Sequence, residues 1–181
     1  RRFHRVTLWA VVITNVPFLI YLVAMGSPLS WLVLTISMFA VVAYSAKGLR
    51  FKEIPFLDSI TSSTHFVSPA VYGAVLAGAV FTPALWLILV AFFLWGMASH
   101  AFGAVQDIAA DREGGLHSIA TNIGAAATSR FALACYALAG LLILSGAFFA
   151  EPTWPFWVAS ITAVPYLLMV WPYRNLPDAR C

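Results

Sequence analysis

Three of the seven acidic residues fall between positions 107 and 113, in the stretch DIAADREGG that separates two long apolar runs. The run QDIAADREGG reads as the end of the fourth helix, running past the membrane edge and stopping at the Gly114-Gly115 pair. Asp107 and Asp111 are four apart. On a helix that spacing puts both carboxylates on one face, with Cβ atoms about 5–6 Å apart, and like charges so placed weaken the helix by roughly 0.2–0.5 kcal/mol. A divalent cation would offset the repulsion. Mg²⁺ takes one or two protein carboxylates, keeps several waters and completes its shell with phosphate oxygens. The pair therefore suits Mg²⁺ held against a diphosphate. Two other readings fit the same spacing: the acids merely keep a membrane-edge loop hydrated, or one of them works as a base. Glu113 points to another side of the helix, as a supporting group or a solvated one.

A complementary set of cations stands upstream in YSAKGLRFKEIPFLD, where Lys47, Arg50 and Lys52 follow Tyr44 and Ser45. Beside a membrane such cations can simply reflect the bias of basic residues toward the cytoplasmic side. Taken with an acidic pair on the same face, they form a diphosphate clamp, cations on the terminal oxygens and a metal bridging to the carboxylates. Tyr44, Lys47, Arg50, Lys52 and Arg112 are the candidate diphosphate contacts; Asp107 and Asp111 are the candidate catalytic and metal-binding pair. Asp58 reads as the N-cap of the next helix, with a metal or substrate role as the alternative. His65 and His100 fall inside apolar segments, where ionisable groups usually face the bundle interior. His100 precedes Asp107 by seven residues, two turns along a similar face, and reads as a satisfied neutral histidine or a base. Phe92, Phe93, Trp95 and Phe102 are either packing residues or a cavity lining that stabilises a cation. Cys135 lies in an apolar run and Cys181 is terminal, so no disulfide is expected.

These groups must be carried by membrane helices. Of the 181 residues, 62% are hydrophobic and 9% charged, against about 25% charged in soluble domains. A helix crosses the hydrocarbon with about 20 apolar residues, which predicts six spans at 6–25, 28–45, 60–80, 83–105, 130–150 and 153–173. The third is weakly hydrophobic but rich in small residues, as in a helix packed among others. Prolines 17, 69 and 165 lie inside spans, tolerated where neighbours satisfy the freed carbonyls. All ten basic residues fall on one side of this scheme: before span one, between spans two and three, between four and five, and after six. Lys and Arg collect on the cytoplasmic side. Both termini and both long loops, 45–59 and 106–129, are therefore expected there. The expected architecture is all-α: a polytopic membrane helix bundle forming one domain over 1–181.

With these residues in view, the chain resembles a known family. Asp107-x-x-x-Asp111-x-x-x-Gly115, continuing into HSIATNIG, is similar to the second aspartate motif of the UbiA-type intramembrane prenyltransferases. Tyr44-Ser45, then Arg50-Phe51-Lys52 and Pro55-x-x-Asp58, resembles the segment that family places after its fourth helix. RFKEIPFLDS and DREGGLHSIAT are most similar to its carotenoid-modifying branch, the lycopene elongases. The resemblance implies Mg²⁺-dependent transfer of a prenyl group from an allylic diphosphate to an apolar acceptor, a carotenoid such as lycopene. A quinone or chlorophyll precursor is the alternative acceptor. It also implies a multi-pass protein of a bacterial cell membrane, in contact with lipid and not with nucleic acid. The family's first aspartate motif, N/D-x-x-x-D after its second helix, has no counterpart here. The resemblance thus implies that two N-terminal helices are missing, and that this piece alone is inactive. The D-x-x-D-G-x-x-A-R pattern of the phosphatidyl-alcohol transferases is absent. A cation- or proton-coupled transporter would place its acids near the bilayer midplane rather than at the edge. A structural membrane subunit would leave the Asp107–Asp111 pair unexplained.

Overall fold

The computed structural model describes residues 2–178. Among them every regular element is helical: α1 (Arg2–Met25), α2 (Pro28–Ser45), α3 (Leu57–Leu76), α4 (Pro83–Gln106), α5 (Ile108–Glu113), α6 (Ile119–Ile123), α7 (Ala125–Ser145), α8 (Trp154–Ile161) and α9 (Ala163–Val170). Short 3₁₀ turns follow α2, α7 and α9. Five segments are long and apolar enough to cross a membrane: Phe3–Met25, Pro28–Ser45, Pro83–Gln106, Ala125–Phe148 and Trp154–Tyr173. The remaining long helix, α3, has the length to span with 20 residues, but polar groups interrupt its apolar surface. It lies between α2 and α4, with Asp58, Ser59, Thr61 and Ser63 all buried against protein. The chain is an integral membrane protein built as an all-α bundle.

Starts and stops follow local chemistry. Ser27 and Ser30 form a reciprocal capping box that opens α2, with Pro28 at its first position. Thr82 caps α4 by accepting from the Leu85 N–H at 3.2 Å, and Pro83 follows it. These pairings satisfy N–H groups that have no partner within the helix. The last predicted span is one helix in length but two in conformation, because it breaks at Thr162. Pro165 has no N–H to offer the Ile161 carbonyl, which ends the hydrogen-bond run there.

The helices pack in the order α2, α3, α4, α7, with α8 and α9 against α7. Small residues bring them close. A Cβ on Gly96 of α4 would stand 3.2 Å from the Ser63 Cα of α3, and one on Gly140 of α7 would stand 2.9 Å from the Ala163 Cβ. Ser63 donates to the Phe93 carbonyl of α4 at 2.5 Å. Close backbone approach and interhelical hydrogen bonds are how helices associate where lipid removes the hydrophobic drive. α1 sits at the rim with most of its apolar surface exposed. Its terminal carbonyls at Leu22 and Val23 accept from the Tyr72 hydroxyl (2.5 Å) and Trp31 Nε1 (3.0 Å).

Three sequence expectations change. The third span begins at Leu57 rather than 60, which brings Asp58 inside the helix, so Asp58 is not its N-cap. The expected loop 106–129 contains α5, α6 and the first residues of α7. The helix expected to run unbroken from span four to Gly114 breaks at Asp107, which takes φ −98°, ψ 0° between α4 and α5.

Candidate active site

The break at Asp107 leaves the one-turn spacing intact, because the Asp111 N–H still bonds the Asp107 carbonyl at 2.8 Å. Buried Ile108 anchors α5 among Val105, Ala120 and Ala125, which turns the two acids outward from that cluster. The helix then stops where the sequence predicts. Leu116 N–H bonds the Asp111 carbonyl (2.8 Å), Gly115 N–H bonds that of Arg112 (3.2 Å), and Gly115 takes φ +65°. This crossed pair of bonds needs a left-handed residue at its turn, which favours glycine.

Asp107 and Asp111 both line a cavity of about 520 Å³ at one end of the bundle. Tyr44, Lys52, Glu53, His100 and His117 share its wall, with Gly103, Ala104 and Leu116 as apolar patches. The two polar connections, far apart in sequence, therefore meet at one site. Among the described residues no Lys or Arg lies within 4.0 Å of either carboxylate, and neither carboxylate accepts a hydrogen bond from protein. Two unpartnered acids one turn apart fit Mg²⁺ that keeps waters and phosphate oxygens. They do not cage a metal unaided, and the described residues contain no group of three His, Cys, Asp or Glu that could.

The five expected diphosphate contacts separate. Tyr44 and Lys52 line the cavity, whereas Lys47, Arg50 and Arg112 are not on its wall. Arg50 pairs with Glu53, so its charge is directed at a residue of the wall. It does so from a left-handed conformation, φ 44°, and Phe56 adopts φ 68° in the same connection. Such conformations cost non-glycine residues about 1–3 kcal/mol, so the 3₁₀ turn that presents Lys52 is held by its surroundings and not by local preference. Of the four aromatics expected at a cavity, Phe92 and Trp95 line a separate one of about 240 Å³ with Tyr136 and Tyr166. Phe93 lines an apolar groove beside Val67, and Phe102 packs on Tyr173 with ring centroids 5.4 Å apart.

Arg112 has a different partner, Asp178, at 2.6 Å. The other Asp178 oxygen accepts the Ala125 N–H at 2.7 Å, at the head of α7. Gly124, φ +81°, makes room for it, since a Cβ there would stand 3.0 Å from the carboxylate. The start of α7, Gly-Ala-Ala-Ala, has no capping side chain of its own, and that lack was the one sequence signal for an outside partner. The Ala125 N–H first, and Arg112 second, hold the Asp178 carboxyl below the usual carboxylate range. A carboxyl with a lowered folded-state pKa stabilises fully above its unfolded value and loses that contribution as pH falls through the lowered one. Protease nicking of the 106–124 connection is therefore expected to rise only under acid conditions in the native protein. In Asp178→Asn it should already be high at neutral pH; equal nicking of the two at neutral pH would exclude this latch.

The histidines behave differently from one another. His100 is satisfied at both nitrogens, Nδ1 against Ser59 Oγ (3.2 Å) and Nε2 against the Tyr44 hydroxyl (3.4 Å). His65 packs edge-on against the Tyr44 ring at 5.5 Å, and its buried Nε2 has no partner among the described residues. Asp58, read from sequence as a cap, is fully buried. Its Oδ1 accepts from Ser59 N (2.6 Å) and Ser59 Oγ (3.1 Å), and its Oδ2 from Ile119 N (2.8 Å). It thus ties the first turn of α3 to the first turn of α6.

The UbiA prenyltransferase family model matches residues 1–181. The chain is 54% identical over 176 residues to the C(50) beta-cyclic carotenoids biosynthesis protein LbtBC of Dietzia sp. (strain CQ4), covering 97% of this chain and 40% of that protein. It is 48% identical over 178 residues to a lycopene elongase/hydratase of Corynebacterium glutamicum, covering 98% and 60% respectively. With the lycopene elongase/hydratase of Haloarcula japonica it shares 37% identity over 114 residues, 63% of this chain and 36% of that protein. The chain thus spans 40% to 60% of the length of the first two relatives. No solved structure gives a significant match. A family match over the whole sequence, on a helical membrane bundle whose paired aspartates face one cavity, establishes that the chain belongs to the UbiA prenyltransferase family.

Proposed function

We propose that the full-length protein carrying this chain transfers a prenyl group from an allylic diphosphate to an apolar acceptor dissolved in the bilayer, a carotenoid such as lycopene. The observation that supports this most is the shared cavity, where two carboxylates that pair with no cation among the described residues share the wall with Lys52 and Tyr44. Family membership favours a transferase over a transporter, and the names of the relatives favour a carotenoid over a quinone or chlorophyll precursor. A fifty-carbon product and a lycopene acceptor differ by ten carbons, which two five-carbon units supply; dimethylallyl diphosphate is the donor to test.

Breaking the allylic C–O bond leaves negative charge on the diphosphate and positive charge on the allyl fragment. Asp107 and Asp111 would hold Mg²⁺, which would supply charge neutralisation at the leaving group. Lys52 places an ammonium against the diphosphate oxygens, a charge-assisted contact that strengthens as their charge grows. Arg50 neutralises Glu53 and so keeps a carboxylate on the wall from repelling the donor. Gly103, Ala104 and Leu116 give the wall an apolar patch against which the allyl fragment would lie, with less contact with water than on the charged part of the wall, until an acceptor double bond attacks. A Cβ on Gly103 would meet nothing within 4 Å, so that part of the wall has room for a substrate. The site is proposed to face the cytoplasm, as the distribution of basic residues implies.

The test is an assay of the full-length protein in bacterial membranes with dimethylallyl diphosphate, lycopene and Mg²⁺. Diphosphate release and a prenylated carotenoid are expected in equal amounts per transfer, and chelation of Mg²⁺ should stop both. Failure of lycopene to raise diphosphate release would overturn the assignment of the acceptor.

A further inference from the structure

Resting on that reading, we propose that Tyr44 and His100 are the proton exit of this site, with Ser59 and Asp58 as positioning residues for His100. When the allyl fragment bonds to an acceptor double bond, the positive charge moves onto an acceptor carbon. Two closures balance. A neighbouring C–H bond breaks and its electron pair forms the new C=C, or water adds and one of its O–H bonds breaks. In each case one proton leaves and needs a base.

The cavity wall offers few. Asp107 and Asp111 are assigned to the metal, Lys52 is a cation, Glu53 is paired with Arg50, and the His117 ring has no hydrogen-bond partner among the described residues to orient it. His100 has the connections a base requires. A carboxylate can only accept, so Ser59 Oγ donates to Asp58 at 3.1 Å and accepts from His100 Nδ1–H at 3.2 Å. That fixes the tautomer and leaves Nε2 as the acceptor of the Tyr44 hydroxyl at 3.4 Å. Tyr44 and His100 line the cavity, whereas Ser59 and Asp58 are fully buried. The proton leaving the substrate passes to the Tyr44 oxygen as the Tyr44 proton passes to His100 Nε2. The imidazolium so formed faces the Asp58 carboxylate through Ser59, and returns its proton to water after the product leaves. The Ile119 N–H bond to Asp58 (2.8 Å) holds this string in place from a fourth element, α6.

The experiment compares variants of the full-length protein in the same assay, reading kcat for prenylated product and KM for the donor. General base catalysis contributes roughly 10²- to 10⁴-fold. His100→Gln is therefore expected to lose about that factor in kcat with donor KM nearly unchanged. Tyr44→Phe, which removes only a hydroxyl, should lose kcat in the same way, and it decides the matter if His100→Gln does not accumulate. Ser59→Ala should lower kcat with KM held, and Ser59→Thr should restore it, a rescue that a purely structural role would not show. Wild-type kcat in both His100→Gln and Tyr44→Phe would overturn the proposal and leave the departing diphosphate as the base. Transfer of the loss to His117→Gln would overturn it equally. The underlying reading fails separately, if the unmodified protein releases no diphosphate from the donor.

Discussion

Asp107→Asn and Asp111→Asn should each lower Mg²⁺-dependent diphosphate release by about 10³-fold, the scale on which losing a preorganised electrostatic contact to the leaving group acts. Accumulation in the membrane should be unaffected. Neither carboxylate accepts a hydrogen bond among the described residues, and Asp107 is exposed, so asparagine removes charge without leaving a buried group unpaired. Replacing one of two like charges a turn apart should, if anything, strengthen α5 slightly, by roughly 0.2–0.5 kcal/mol. The variants therefore separate chemistry from folding. The measurement is diphosphate release against Mg²⁺ concentration, and the Mg²⁺ requirement should shift upward as activity falls. Normal turnover in the double variant would exclude these residues as the metal site.

The second large effect is expected at Lys52. A hydrogen bond to a charged group contributes about 1.5–3 kcal/mol, which corresponds to roughly a 10- to 100-fold rise in donor KM for Lys52→Gln. Lys47→Gln should change KM far less, because Lys47 is exposed and off the cavity wall. Arg50→Gln should fall between them, by releasing the Glu53 carboxylate to repel the donor. Comparing the three under one ionic strength is informative because all remove one positive charge from the same connection. Equal effects would mean that only the general basic field acts, and that the geometry of the wall does not matter.

The contrast among these cations shows how far the amino-acid order could be read. The spacing of Asp107 and Asp111 survives the unforeseen break in the helix, since the bond from Asp111 N–H to the Asp107 carbonyl preserves the turn. The stop at Gly115 was equally legible, because its φ of +65° is a local demand that one residue type meets best. Five of the six expected spans were legible for a similar reason, since apolar length is a property of contiguous residues; α3 has the length but not the continuous apolar surface. Boundaries were less so. α3 starts early because Asp58 and Ser59 find partners on α6 and α4, and partners so distant in sequence leave no periodic trace.

Of the five cations and hydroxyls grouped as diphosphate contacts, the order of residues could say only that they were near one another. Arg112 was lost to Asp178 and Arg50 to Glu53. The Lys52 turn depends on two left-handed residues, Arg50 and Phe56, that no propensity favours. Asp58 was misread because a carboxylate at a helix start is usually a local cap, and here it serves a helix some sixty residues on.

Composition and helical period were sufficient for an all-helical membrane protein carrying an acidic pair at a helix end, because those features depend on neighbours along the chain. The cavity, the selection of Lys52 and Tyr44 as its lining, and the string from Asp58 to Tyr44 came from packing. The close approach of Gly96 to Ser63 brings α4 against α3, and that contact sets which side chains of two separate helices can meet.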